Sequence, residues 1–104
     1  MKAADIGVLD DYVDGEARQI RLDGLVLVVV RIDNEVYVLD DRCSHEDFSL
    51  AEGEVNADTR EIECARHGAM FRLSDGEPMS LPATRPVAHY VVNTRDGRLE
   101  VSVP

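Results

Sequence analysis

Apolar and polar positions along this chain alternate in twos far more often than in threes and fours, a period that predicts strands. No segment longer than ten residues carries apolar side chains at i, i+3, i+4 and i+7, so no amphipathic helix is expected. In "ARQIRLDG", Ile20 and Leu22 alternate with Gln19 and Arg21, the pattern of a half-buried strand. The run from Leu25 to Val30 that follows is unbroken and rich in β-branched residues, which predicts a strand buried on both faces. "RIDNEVYVLD" predicts two strand segments joined at Asp33-Asn34, a pair that tolerates the positive φ of a tight hairpin turn. "VAHYVVNT" and "RLEVSV" repeat the device and meet near Asp96-Gly97. There Leu99, Val101 and Val103 face one way, and Glu100 and Ser102 the other.

Between these hairpins, residues 42–86 alternate less and contain Gly53, Gly68, Gly76, Pro78, Pro82 and Pro86, which predicts loops on a few short strands. One such strand is "REIECA", with Ile62 and Cys64 on one face and Glu61 and Glu63 on the other. The three glycines are expected to provide tight turns at positive φ. The organisation is therefore all-β: a single domain over 1–104, with an antiparallel β base (1–41 and 87–104) and an inserted loop-rich subdomain (42–86).

At 104 residues and 11.5 kDa the chain suits one domain with a modest core. Its longest apolar run, Leu25 to Val30, is far short of the roughly 20 residues of a membrane span. The opening "MKAADIGVLDD" lacks the apolar segment and cleavage site of a secretory signal, and a cytoplasmic location is expected. In a reducing cytosol two cysteines near histidines point to metal or catalysis rather than to a disulfide. The formal charge of -10 repels phosphate backbones, and the sequence has no Lys or Arg cluster to counter it, so no nucleic-acid partner is expected. Tyr12, Tyr37 and Tyr90 are too scattered to form a base-stacking platform. The acidic surface serves solubility, or attraction to a basic partner, and the two readings differ in the salt dependence of association.

Both cysteines and two of the three histidines fall in two short stretches, Cys43-x-His45 in "RCSHEDFSL" and Cys64-x-x-His67 in "ECARHGAMF", separated by eighteen residues. Four soft or borderline ligands on two loops suit tetrahedral zinc or an iron-sulfur cluster. A catalytic Cys-His pair needs one nucleophile and one base and leaves the second pair unexplained. Zinc modules tend to pair Cys with Cys and His with His, whereas each loop here supplies one of each.

The pattern C-x-H, spacer, C-x-x-H resembles the Rieske [2Fe-2S] motif. "CSHEDFSLAEGEV" and "ECARHGAMFRLSDGEPMSLPA" resemble the two cluster loops of small bacterial Rieske ferredoxins, including a proline-containing loop at Leu81-Pro82-Ala83 that covers the cluster in that family. The resemblance runs from about residue 5 to 103 and is strongest over 40–86. It implies the Rieske fold and one [2Fe-2S] cluster, with Cys43 and Cys64 on the inner iron and His45 and His67 on the outer. Neutral imidazoles in place of two thiolates leave the cluster less negative, which raises its potential above that of all-cysteine ferredoxins.

Where high-potential relatives carry a second pair of cysteines joined as a disulfide, this chain has Phe48 and Arg66. Where they carry Ser and Tyr hydroxyls that donate to cluster sulfur, it has Ala69 and Phe71. Fewer donors stabilise the reduced state less, so a potential near the bottom of the Rieske span, about -150 mV, is expected.

His89 reads as a strand residue, and once His45 and His67 are used no histidine pair remains for the mononuclear iron of an oxygenase. There is also no G-x-G-x-x-G or P-loop pattern for a flavin, nicotinamide or nucleotide. The expectation is thus an electron-transfer component rather than an enzyme: a monomeric, low-potential Rieske ferredoxin passing electrons from a flavin-dependent ferredoxin reductase to a terminal oxygenase of the ring-hydroxylating dioxygenase type. The resemblance also leaves room for the small subunit of an NADH-dependent nitrite reductase, or for a Rieske protein associated with iron-sulfur cluster assembly. A zinc-stabilised interaction module is the alternative of a different class. Glu46 and Asp47, next to His45, and Arg66 and Arg72, near the second loop, are candidates for a charged docking rim.

Overall fold

A computed structural model of the chain describes residues 2–43, 48–65, 68–81 and 85–104. Strands dominate these residues: β1 (Lys2–Val8), β2 (Ala17–Leu22), β3 (Leu25–Ile32), β4 (Glu35–Asp40), β5 (Val55–Asn56), β6 (Glu61–Glu63), β7 (Met70–Arg72), β8 (His89–Tyr90), β9 (Val92–Arg95) and β10 (Arg98–Val103). The helical content among them is two short 3-10 turns, Leu9–Asp11 and Leu50–Glu52. Every strand pairing is antiparallel, in sheets ordered β1-β10-β9, β2-β3-β4-β8 and β5-β6-β7.

The hairpin turns use the residues that chirality permits. Asp33 takes φ 55° between β3 and β4, and Asp96-Gly97 takes 52° and 79° between β9 and β10. Asp23-Gly24, at 46° and 85°, joins β2 to β3, where periodicity alone predicts only two consecutive strand-like runs. Paired positive φ values of this kind match the right-handed twist of the flanking strands.

The Val-rich strand β3 is buried on both faces. Val28, Val30 and Ile32 face a core that also holds Leu39, Leu50, Ile62 and Phe71. Leu27 and Val29 face a second core with Val38, Leu99, Val101 and Val103. Because side chains alternate across a strand, one strand separates and braces two cores, and each fully buried Val or Leu contributes roughly 1.5–3 kcal/mol. The predicted alternation in β10 is present, with Leu99, Val101 and Val103 buried.

"VAHYVVNT" is not one strand. β8 pairs with β4, Val38 opposite Tyr90 and Leu39 opposite His89, while β9 pairs with β10. Val91, exposed between them, is where the chain leaves one sheet for the next, and its carbonyl still accepts the Ser102 N–H at 2.9 Å. A continuous apolar run does not reveal that its two halves find different partners.

Tyr90 ties β8 to β4 by donating its hydroxyl to Asp40 Oδ1 at 2.7 Å. Burial, with the Asp40 carboxylate second, pushes its phenol up to about 12. Folding therefore favours the neutral phenol: the stability linked to it is complete below the ordinary value of about 10 and is lost as pH rises through about 12. Ultraviolet titration should find one tyrosine ionising near 12, and D40N should return part of that shift. A Tyr90 that ionises near 10 would remove this link between the strands.

Candidate metal centre

Each cysteine begins a tight backbone loop at the end of a strand. Beyond β4, Arg42 bridges to Ser49, and the Cys43 N–H donates to the Phe48 carbonyl at 2.9 Å. Cys64 directly follows β6, and its N–H donates to the Ala69 carbonyl at 2.7 Å. The two loops therefore share one device, a cysteine N–H closing on the carbonyl five residues later. Gly68, at φ 73°, reverses the second loop and donates its N–H to the Cys64 carbonyl at 2.8 Å.

The cysteines come together in one buried cluster with Leu39, Ala69 and Phe71. They are 2% and 0% exposed and are not joined to each other as a disulfide. Two soft sulfur donors brought into one apolar setting by separate loops fit a thiolate-bound metal group. Ala69 and Phe71 are fully buried beside them and carry no hydroxyl. His45 and His67 lie outside the described residues, as do Glu46, Asp47, Arg66 and Pro82. Of the remaining candidates, His89 is an exposed residue of β8, and Arg72 pairs with Asp75 in the turn after β7.

Three features of this region do not follow from residue spacing. Asp41 is buried two residues before Cys43. Ser80 accepts the Met70 N–H on its hydroxyl at 2.9 Å, and Met79 donates to the Met70 carbonyl at 2.7 Å, so the segment leading to the proline-containing loop is stitched to β7. That segment leaves Leu81 79% exposed, an apolar side chain facing solvent. Gly53 corrects the expectation of positive φ. Its φ is -86°, and its missing side chain matters because a Cβ there would lie 1.5 Å from the Glu63 carbonyl oxygen.

The structure is thus a β fold of three small sheets with two buried cysteines at the heads of matching loops. Residues 3–91 match the Rieske [2Fe-2S] domain family, and the chain belongs to it. It is 36% identical over 95 residues to the 3-phenylpropionate/cinnamic acid dioxygenase ferredoxin subunit of Escherichia coli K12, covering 90% of this chain and 87% of that one. Among solved structures it resembles the ferredoxin of carbazole 1,9a-dioxygenase from Nocardioides aromaticivorans IC177, with a TM-score of 0.95 and 30% identity over all of both chains. It also matches a ferredoxin chain from a complex of reduced oxygenase and oxidised ferredoxin in carbazole 1,9a-dioxygenase, with a TM-score of 0.87, 30% identity, and coverage of 95% of this chain and 100% of that one.

Proposed function

We propose that this chain is a one-electron carrier, a Rieske ferredoxin that delivers electrons to a terminal oxygenase of the ring-hydroxylating type. The observation that carries the reading is the pair of buried cysteines on matching loops in a chain related over nine-tenths of its length to a dioxygenase ferredoxin subunit. Support for the acceptor comes from the similar ferredoxin solved together with its oxygenase. On this reading Cys43 and Cys64 hold one iron and His45 and His67 the other, within residues 42–86, and the base is formed by 1–41 and 87–104. When bound, such a cluster accepts and releases a single electron. The donor is a flavin-dependent reductase, and the carrier works as a cytoplasmic monomer. Among the described residues no helix is long and apolar enough to cross a membrane.

The chain's own residues set the ease of reduction. Ala69 and Phe71, buried beside the thiols, offer no hydroxyl to sulfur, which leaves the added electron less stabilised and favours a potential of about -150 mV. Anaerobic redox titration, followed by visible absorption and EPR, should give one electron per chain near that value, and the reduced protein should be reoxidised by a terminal oxygenase. A midpoint above zero sinks the low-potential reading, and a reduced protein inert toward every oxygenase offered sinks the choice of acceptor. F71Y should move the midpoint upward by about 40 mV, the one-electron equivalent of roughly 1 kcal/mol of preferential hydrogen bonding to the reduced state.

A further inference from the structure

Asp41 is the one buried polar or charged side chain among the described residues, 4% exposed. Both of its carboxylate oxygens are in use. Oδ2 accepts from Gln19 Nε2 and from the Ser49 hydroxyl, each at 2.6 Å, and Oδ1 accepts the Ala51 N–H at 2.9 Å. Its main chain joins in, donating to the Val26 carbonyl at 3.0 Å and accepting the Leu50 N–H at 2.5 Å. An ionised carboxylate supplies only acceptor sites and so can serve all three side-chain-directed donors at once, which an amide or a hydroxyl cannot do. The carboxylate thus clamps residues 49–51, where the chain emerges from the first cysteine loop, onto the strands that precede it.

From this clamp the 3-10 turn Leu50–Glu52 leads directly to Gly53. A Cβ there would meet the Glu63 carbonyl oxygen at 1.5 Å, the Glu63 carbonyl carbon at 2.7 Å and the Ala65 nitrogen at 3.4 Å. These atoms belong to the residues on either side of Cys64. The Glu63 N–H also donates to the Glu54 carbonyl at 2.8 Å. A continuous path therefore runs from the base of the Cys43 loop, through Asp41 and Gly53, to the backbone that presents Cys64.

We propose that Asp41 and Gly53 are positioning residues that fix the placement of the Cys43 loop relative to Cys64, Asp41 by clamping one loop and Gly53 by admitting backbone-to-backbone contact with the other. The proposal rests on the assignment of both cysteines to one bound metal group. Loss of the clamp leaves the ligands present but lets their spacing vary. A bound group then faces a distribution of sulfur geometries and is released faster.

The test compares the metal-loaded proteins D41A, D41N, S49A and G53A with the parent. Metal release to a chelator should be about tenfold faster in D41A, with a smaller rise in S49A, which loses one of the hydrogen bonds. The reduced-state EPR lines should broaden in D41A and G53A, and to a smaller extent in D41N, whose amide keeps the shape but cannot serve all three donors. Amide hydrogen exchange in 49–53 should rise in D41A while exchange in β10 does not. If D41A or G53A fails to fold, S49A and D41N decide by the same readouts. Parental release rates and EPR lines in D41A, or in S49A and D41N where D41A is lost, overturn the proposal. Iron and acid-labile sulfide in the parent protein test the underlying assignment separately: zinc there refutes the Rieske reading, while release and exchange still report on the clamp.

Discussion

Cys64→Ala should yield a folded but colourless protein, with the red-brown absorption of the parent lost and bound iron reduced more than about a hundredfold. Changing a partner around the ligands typically weakens a metal site 10- to 100-fold, so deleting a proposed thiolate ligand outright should exceed that. The expectation that the fold persists comes from two backbone bonds that close the loop at residue 64: the N–H reaches the Ala69 carbonyl and the carbonyl accepts from Gly68. Alanine preserves both bonds and removes one small buried group. Metal analysis, visible absorption and circular dichroism together check this. An intact spectrum in Cys64→Ala would exclude Cys64 as a ligand, and a colourless parent with one zinc per chain would replace the redox reading with a structural one.

Phe71→Ala carries the largest expected cost in stability. Phe71 is the largest fully buried side chain among the described residues, 0% exposed, in β7 opposite Ile62 and bridged to Pro78 on its other side. Removing a buried ring costs its transfer free energy together with the cavity left behind, about 3–5 kcal/mol. Against a total stability of about 5–15 kcal/mol for a domain of this kind, that is a substantial share. Urea unfolding followed by circular dichroism should show a lower midpoint with little change in slope. Leu99→Ala, in the other core, should cost roughly 2–5 kcal/mol but leave the visible spectrum unchanged, because β3 stands between that core and the cysteines. A mutation at Leu99 that altered the spectrum as much as Phe71→Ala would show that the cores do not act independently.

What the sequence discloses follows from how local each signal is. Strand periodicity, the Asp-Gly and Asp-Asn turns and the two Cys-His spacings are readable within a few residues, and the all-β fold and the two cysteine loops come from these. Cys43 and Cys64 are buried together, which the alternation of "REIECA" anticipates for one of them. β1 is not legible, because its strand character shows only when Lys2–Asp5 lie opposite Glu100–Val103. Asp41 is read as one acid among twenty-one, since its main partner, Gln19, lies 22 residues earlier. Gly53 looks like a turn glycine because sequence shows the lack of a side chain and not the carbonyl that needs the space. Reading "VAHYVVNT" as one strand fails for the same reason: the partners of its halves, β4 and β10, lie far apart in the chain.

The pairing of β4 with β8 has a further consequence. Leu39 lies opposite His89, and the Asp40 N–H reaches the Ala88 carbonyl at 2.8 Å, so the segment between Asp40 and Ala88 begins and ends on neighbouring strands. Everything between is an excursion whose ends are already joined by the framework. Doubling the length of such an excursion adds only about 0.6 kcal/mol of closure entropy. Exposed turns within that segment can therefore change length at little cost in closure, whereas Leu50, Ile62 and Phe71, packed in one core with Val28, Val30 and Leu39, hold the segment to this particular framework.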